Sequence, residues 1–253
     1  AGTIADADLV FYTGLMYEPA PLIELLENSV CGSEALAEVG ESVFPIEFKE
    51  GGHDDHGEKG HDDHDEEGHD DHDEEGHDDH DDHGGHEGHG HGAYDPHFWF
   101  DPNRVVYASE FIESKLIELD PSNAASYQAA GDAYTTELSS LTGQVSQLIG
   151  SIPSQNRKLI TTHESLGYLE AKFGLEVLST IIPDLDSSNE ITPSQLVGVI
   201  DVIEDNNVKV IFIEAEAPSV YAETIVAETG IKAVEGLWVE TCLLYTSPSP
   251  RDQ

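Results

Sequence analysis

Positive charge is scarce in this sequence. Its 253 residues include 10 lysines and arginines against 52 aspartates and glutamates, which gives a formal net charge of −42. A surface with such an excess of negative charge repels phosphate groups at every approach, which argues against nucleic acid and anionic membranes as partners. We therefore expect a protein that does not bind nucleic acid, and we also expect it to be a monomer.

Cysteine, long apolar segments and the motifs of common enzyme classes are missing as well. Cys31 and Cys242 are too few for a disulfide-stabilised scaffold or a cysteine-rich zinc site. The longest apolar runs, such as Val208–Ile213, are far shorter than the ~20 residues that cross a bilayer. The sequence HESLG at His163 has glycine where a zinc hydrolase of the H-E-x-x-H type needs its second histidine. No G-x-S-x-G, P-loop or dinucleotide motif occurs, so we expect a binding protein and not an enzyme.

Histidine, in contrast, is abundant in one segment. Residues 51–92 contain only 12 histidines, 18 acidic residues, 11 glycines and one lysine, and an eight-residue unit that begins H-D-D-H recurs through much of the segment. Because no apolar side chain is present, this histidine-rich tract cannot bury enough surface to offset its chain entropy. We expect a mobile surface loop inserted in a folded domain.

The histidine-rich tract presents imidazole nitrogens and carboxylate oxygens, both of which bind zinc. Each captured ion has to order several residues, so single sites should be weak but numerous. An acidic spacer alone would not need imidazole, which favours a metal-collecting or metal-sensing arm over a solvated linker. The predicted ligands of the tract are His53, His56, His61, His64, His69, His72, His77, His80, His83, His86, His89 and His91.

The rest of the chain alternates strand and helix patterns. Before the tract, a strand is predicted at Asp8–Tyr12, a helix at Pro19–Glu27 and a possible strand at Val43–Phe48. After the tract, Asp-Pro pairs begin one helix at Pro102 and a second of nearly thirty residues at Pro121. At about 1.5 Å per residue the second helix would reach roughly 40 Å, which is enough to join two lobes.

The C-terminal part repeats this alternation at the spacing of parallel β-α-β units. Its predicted strands are Lys158–Thr162, Leu175–Ile181, Val208–Ile213 and Lys232–Val239. Its predicted helices are Leu166–Lys172, Pro193–Glu204 and Ala217–Thr229. The sequence therefore predicts an α/β protein with two lobes of parallel β-α-β units joined by a long rigid helix.

These patterns also suggest domain boundaries. We expect an N-terminal lobe over residues 1–120, a linking helix over residues 121–149 and a C-terminal lobe over residues 150–241. The sequence begins at Ala1 in what reads as the middle of a domain, so we expect the true N-terminus to lie upstream. The last residues read LLYTSPSPRDQ, which resembles translated linker sequence, and we expect residues 242–253 to be non-native.

Only His97 and His163 lie outside the histidine-rich tract. His163 directly follows a predicted buried strand, at the edge where open α/β sheets place their ligands. His97 lies between two Asp-Pro turns, beside three aromatic residues whose bulk would exclude competing water from a bound zinc ion. Either histidine alone is more often an ordinary polar residue at the end of an element.

Read together, three segments resemble the zinc/manganese substrate-binding proteins of ABC importers. Residues 94–102 (YDPHFWFDP) resemble the second metal-ligand motif of that family, and residues 159–174 (LITTHESLGYLEAKFG) resemble its third. Residues 5–19 (ADADLVFYTGLMYEP) are similar to the segment after its first ligand. Zinc-type members also carry an acidic, histidine-rich loop before the second motif. The resemblance implies two lobes joined by a rigid helix, with metal held in the cleft between them.

The resemblance implies cleft ligands residue by residue. His97 and His163 correspond to two ligand histidines, and the first ligand histidine would precede Ala1. Glu240 is the nearest acidic candidate for a fourth ligand, whereas Glu214 is expected to have a supporting or structural role. Asp95 and Asp101 are expected to cap helices or form turns. Histidine at the third ligand position favours Zn²⁺ over Mn²⁺, because manganese prefers oxygen ligands.

The resemblance also implies a function. We expect an extracytoplasmic protein, either periplasmic or lipid-anchored at the cell surface, that binds zinc and delivers it to an ABC permease. With part of the ligand set upstream, this chain should bind cleft metal more weakly than a full-length protein. The alternative is a metal buffer or a surface adhesin in which the histidine-rich tract is the functional element.

Metal capture by the histidine-rich tract should depend on pH. Full protonation of its histidines changes the formal charge of residues 51–92 from −17 to −5, and imidazolium cannot bind a cation. We expect zinc capture to fall as the pH drops through about 6.5, the ordinary pKa of histidine. Equilibrium dialysis against zinc over a pH series measures this, and unchanged capture well below that pH would mean that carboxylates hold the ion.

Overall fold

The computed structural model describes residues 2–48, 94–182, 192–215 and 220–240, and the structural statements that follow concern these ranges. The histidine-rich tract with its twelve predicted ligands lies outside the described residues, as do residues 242–253. None of the helices in the described ranges is both long enough and apolar enough to span a membrane.

The N-terminal part contains a small parallel sheet. Its elements are α1 (Gly2–Ala5), β1 (Val10–Tyr12), α2 (Ala20–Ser29) and β2 (Leu36–Glu38). Strands β1 and β2 pair in parallel, with Val10 opposite Leu36. The predicted first strand and first helix are confirmed to within two residues at most ends, but β2 was not predicted because its three residues are too few to show a period of two.

The possible strand at Val43–Phe48 is wrong. Gly40–Val43 form a 3₁₀ turn, and Phe44 has a left-handed backbone with φ of 53°, which interrupts an extended chain. Only an isolated antiparallel bridge joins Glu47 to Tyr94. The apolar alternation instead reflects packing, since Val43 is fully buried in a cluster that Ile46 also contacts.

Two long helices follow the tract. Helix α3 (Pro102–Leu119) is capped as predicted, because the Asp101 side chain accepts a hydrogen bond from the Asn103 N–H at 3.0 Å. Helix α4 (Ala124–Gly150) has 27 residues and begins after a 3₁₀ turn. It packs along α3 and also contacts a helix of the C-terminal part, which agrees with a linking role.

The C-terminal part is built on a four-stranded, wholly parallel sheet in the order β4-β3-β5-β6. Its strands are β3 (Lys158–Thr161), β4 (Glu176–Thr180), β5 (Val210–Glu214) and β6 (Lys232–Leu237). Its helices are α5 (Gly167–Phe173), α6 (Pro193–Asn206) and α7 (Val220–Thr229). The predicted strands and helices are all found, although the predicted start of α7 lies outside the described residues.

The hydrophobic core of the C-terminal part is centred on the two middle strands of this sheet. Ile160 on β3 and Ile211 on β5 are paired across the two middle strands, and both are fully buried. Such two-sided burial is typical of strands covered by crossover helices. The carboxyl ends of β3 and β5 consequently lie side by side, next to His163 and Glu214. The predicted α/β fold is confirmed, and the boundaries proposed for the lobes remain predictions.

Candidate metal site

Three side chains from distant parts of the chain converge at the carboxyl edge of the sheet: His97, His163 and Glu240. One potential ligand atom from each lies within 4.8 Å of the other two. The Oε1 atom of Glu240 is 3.0 Å from Nε2 of His97 and 3.4 Å from Nε2 of His163. The two imidazole ring centroids are 5.4 Å apart. This is the only such cluster of potential metal ligands within the described ranges.

His97 is held by Asp95 and is almost fully buried. One carboxylate oxygen of Asp95 accepts the His97 backbone N–H at 2.8 Å and lies 2.7 Å from Nδ1 of the ring. Asp95 is fixed in turn, because its carbonyl accepts the hydroxyl of Tyr168 at 2.7 Å. The backbone N–H of Asp95 donates to the carbonyl of Ile46 at 2.9 Å. Since Nδ1 is occupied by the carboxylate, the Nε2 atom of His97 is directed towards Glu240.

His163 is held in the same way by Glu214. It follows β3, and Glu214 ends the neighbouring strand β5, so the two residues meet across the sheet. The two carboxylate oxygens of Glu214 lie 2.8 and 2.7 Å from Nδ1 of His163. Glu214 is buried, and its N–H donates to the Thr162 hydroxyl at 3.0 Å.

The Nε2 atom of His163 has no hydrogen-bond partner among the described residues, although it is buried. Its 3.4 Å approach to Glu240 is an ion-pair contact without hydrogen-bond geometry. An unsatisfied polar atom in a buried position is costly unless a ligand, an ion or water completes it. Together with the other two side chains, this atom belongs to a cluster that could hold a metal ion.

Glu240 reaches the site through contacts between the two parts of the chain. It lies three residues beyond β6, and the indole N–H of Trp99 donates to the carbonyl of the preceding residue, Val239, at 3.2 Å. The Trp99 ring also stands edge-on to His97 with centroids 5.4 Å apart. The hydroxyl of Tyr17 donates to Oε2 of Glu240 at 2.5 Å. Two aromatic rings therefore border the ligand atoms on this side.

The charges in this cluster are strongly coupled. Burial lowers the pKa of His163, but its hydrogen bond to Glu214 and the nearby carboxylate charge of Glu240 outweigh burial and raise that pKa to about 9. Burial likewise lowers the pKa of His97, and hydrogen bonds to Asp95 and Glu240 raise it above its usual value. Burial raises the pKa of Glu240, but the two histidine rings beside it hold that pKa far below its ordinary range. The carboxylates of the cluster therefore favour the protonated form of both imidazoles, and a bound cation would compete with those protons.

The outcomes for the sequence-predicted site residues differ. His97 and His163 lie together with Glu240, which had the weakest support from sequence. Glu214 and Asp95 orient the two imidazole rings, a supporting role that was expected for Glu214 but not for Asp95. Asp101 caps α3 as expected.

Sequence reasoning missed Tyr17 and Trp99 as neighbours of the ligand atoms. The contact of Tyr17 with Glu240 joins residues 223 positions apart, and no local pattern indicates it. The aromatic residues beside His97 predicted a bulky neighbour for this histidine. They did not predict the hydrogen bond from the Trp99 indole to the carbonyl of Val239.

Comparison with known proteins gives a consistent result. Residues 1–248 match the ZnuA family, described as "Zinc-uptake complex component A periplasmic". The iron-binding protein YfeA of Yersinia pestis is 27% identical over 155 residues, which are 61% of this chain and 49% of that protein. The manganese-binding lipoprotein MntA of Halalkalibacterium halodurans is 27% identical over 136 residues, 54% of this chain and 45% of that protein. The match thus spans about half the length of these relatives.

Solved structures agree on the fold. The periplasmic zinc-binding protein TroA from Treponema pallidum superposes with a TM-score of 0.69 at 18% identity, covering 98% of this chain and 74% of that one. At this identity the likeness establishes the fold alone. The names of the three relatives mention iron, manganese and zinc, so they do not select one metal.

The raised pKa of His163 can be tested by NMR of the metal-free protein. We expect this imidazole to remain protonated at pH 7.5 and to lose its proton near pH 9, because its carboxylate partners favour the charged ring. In Glu214→Gln the charge is removed while the ring stays buried, so the pKa should fall by at least about one unit. A wild-type ring that is already neutral at pH 7.5 would contradict the coupling. Glu235→Gln, an exposed change on β6, is the matched control.

Proposed function

The chain belongs to the ZnuA family of periplasmic zinc-uptake components, and on that premise we propose that it binds a divalent metal ion for an ABC importer. The ion would be held by His97, His163 and Glu240. The observation that carries this proposal is the convergence of two buried imidazoles and one carboxylate, each imidazole already oriented by a second carboxylate. No covalent bond of the protein is made or broken. The proposed chemistry is ligand exchange at the metal ion.

The donor set favours zinc. Two imidazole nitrogens and one carboxylate oxygen match the ligands of zinc sites with three protein donors and a fourth position for water or another group. Manganese prefers sites richer in oxygen and takes a larger number of ligands. The carboxylates Asp95 and Glu214 support the same choice, because a carboxylate on Nδ1 makes Nε2 a stronger donor.

Binding is coupled to proton release. The raised pKa values of His97 and His163 mean that an arriving ion competes with protons for Nε2, so affinity should rise with pH through the neutral range. The net charge of the site also matters, since Glu240, Asp95 and Glu214 together attract a dication and offset its charge when bound. A cation fits this cluster better than any neutral or anionic ligand.

The contacts that close the site suggest how an ion could be released. His97 and Trp99 belong to the segment that leads into α3, whereas His163 and Glu240 lie at the edge of the C-terminal sheet. At the site these segments are joined by the contacts of Trp99 with Val239, of Tyr17 and His97 with Glu240, and of Tyr168 with Asp95. A small movement that separates these two segments would move His97 away from His163 and Glu240. The ion would then lose part of its ligand set. We assign the ion's destination to the permease of an ABC importer and the protein to the outer side of the cell membrane, either periplasmic or lipid-anchored.

The histidine-rich tract would serve the same site by capturing zinc at many weak positions nearby. In the alternative function, a metal buffer or a surface adhesin, the tract would be the main metal-binding element and the cleft would be secondary. The two functions make different demands on the tract, and its deletion separates them.

Removal of a cleft ligand should weaken zinc binding. We expect His163→Ala and Glu240→Gln each to reduce the affinity of the tightest site by about 100-fold or more, because loss of a direct ligand costs at least as much as loss of a residue that supports one. Competition with a chromophoric chelator measures the affinity. Glu235→Gln, which is exposed on the same strand that leads to Glu240, is the matched control. Variants that bind like the wild type would contradict the assigned site.

Deletion of residues 53–91 should leave one tight site per chain while removing most of the weak ones. Zinc titration followed by calorimetry counts both classes. A transport component keeps its cleft affinity after this deletion, because the cleft ligands lie outside the tract. If nearly all binding disappears with the tract, the buffer function is favoured and the cleft assignment is wrong.

A further inference from the structure

The two carboxylate oxygens of Glu240 have different partners. Oε1 faces the Nε2 atoms of His97 and His163, at 3.0 and 3.4 Å. Oε2 accepts a hydrogen bond of 2.5 Å from the hydroxyl of Tyr17. The side chain therefore offers one oxygen to an ion between the imidazoles, while the other is already engaged by a protein donor.

Tyr17 is held in place from two directions. Its ring stands edge-on to Trp99, with centroids 5.4 Å apart, and also to His97, at 6.5 Å. Its backbone N–H donates to the carbonyl of Gly14 at 3.0 Å, closing a tight turn. The ring remains 36% exposed, and these contacts place its hydroxyl against Glu240.

The loop before Tyr17 has an unusual backbone. Gly14, Leu15 and Met16 all have positive φ angles, of 77°, 55° and 62°. Leucine and methionine rarely adopt this region, so surrounding contacts must maintain it.

Carboxylates provide those contacts. The Glu18 side chain accepts the N–H groups of Thr13 and Gly14, at 2.6 and 2.9 Å, and Glu38 accepts that of Leu15 at 3.0 Å. Backbone strain that is maintained in this way is concentrated at functional sites. Here it fixes the position from which Tyr17 reaches Glu240.

We propose that Tyr17 determines the metal preference of the site by limiting Glu240 to a single ligand oxygen. This inference rests on the proposed function, because it concerns the same ion. A carboxylate that keeps its hydrogen bond to Tyr17 binds in monodentate fashion through Oε1. Tyr17 is accordingly a positioning residue that does not itself touch the ion.

One-oxygen binding discriminates between ions by coordination number. Zinc forms four-coordinate tetrahedral sites, to which a monodentate carboxylate is well suited. Manganese and calcium take six or more ligands, mainly oxygens, and gain from a bidentate carboxylate. The Oε2 atom that is hydrogen-bonded to Tyr17 is not free to coordinate manganese or calcium. Tyr17 therefore weakens the binding of these ions more than it weakens the binding of zinc.

Tyr17→Phe tests this inference, since it removes the hydroxyl and keeps the ring against Trp99. We expect the ratio of the manganese to the zinc dissociation constant to fall about tenfold, the change that corresponds to one hydrogen bond to a charged group. Tyr127→Phe is the matched control, because it also removes a hydroxyl bonded to a carboxylate, 3.2 Å from Asp120, but far along the chain on α4. An unchanged ratio in Tyr17→Phe, or an equal change in the control, would overturn the inference.

Cobalt provides a readout that a merely structural role would not alter. Four-coordinate Co²⁺ absorbs visible light much more strongly than five- or six-coordinate Co²⁺. We expect the intense spectrum in the wild type and in Tyr127→Phe, and a weaker one in Tyr17→Phe as Oε2 becomes a ligand. A spectrum that keeps its intensity in Tyr17→Phe would show that Glu240 stays monodentate without the hydroxyl.

The two proposals fail in distinguishable ways. If wild-type protein binds zinc no better than His163→Ala, the proposed function fails and this inference fails with it. If wild-type protein binds zinc tightly at the cleft but Tyr17→Phe keeps the same selectivity, only the role of Tyr17 is wrong.

Discussion

The candidate site depends on the pairing of each buried imidazole with a buried carboxylate. Asp95 occupies Nδ1 of His97 and Glu214 occupies Nδ1 of His163, so each ring has one nitrogen left and a fixed direction in which to present it. Desolvation alone would favour neutral rings, and the carboxylates reverse that preference. The two rings are consequently oriented by the protein's own carboxylates. Of the two remaining nitrogens, Nε2 of His97 faces Glu240, and Nε2 of His163 has no hydrogen-bond partner among the described residues.

The fold produces this arrangement by simple means. In a parallel sheet the carboxyl ends of neighbouring strands lie together, so β3 delivers His163 and β5 delivers Glu214 to the same edge. Asp95 is fastened to the opposite segment by Tyr168, whose hydroxyl bonds to its carbonyl. Gly167 belongs to the same contact, because a Cβ atom there would lie 2.6 Å from a carboxylate oxygen of Asp95. The N-terminal segment can therefore approach α5 closely.

Family membership and local geometry address different questions. The match to the ZnuA family confirms the resemblance that the motifs indicated, and it agrees with the expectation that the chain is not an enzyme. Sequence relatives are named for iron and manganese and a protein of the same fold is named for zinc, so these matches do not identify the ion. Selection among divalent ions has to reside in a few atoms around the site. The hydroxyl of Tyr17, which engages one oxygen of Glu240, is such an atom.

The sequence by itself determined the alternation of strands and helices, the capped start of α3, the length of α4 and the placement of His97 and His163 at the ends of elements. These features are local: periodicity, Asp-Pro pairs and glycine stops act over a few residues, and they remain legible without the fold. The turn at Phe44 was missed because packing of the neighbouring Val43 and Ile46 against distant residues accompanies it, and β2 was missed because three residues show no periodicity. Glu240 and Tyr17 show the same limit more sharply, since they meet across most of the chain. Only the tertiary structure decided which acidic residue approaches the histidines and which hydroxyl holds it, because among so many carboxylates the distance between chain segments, and not residue type, selects the partner.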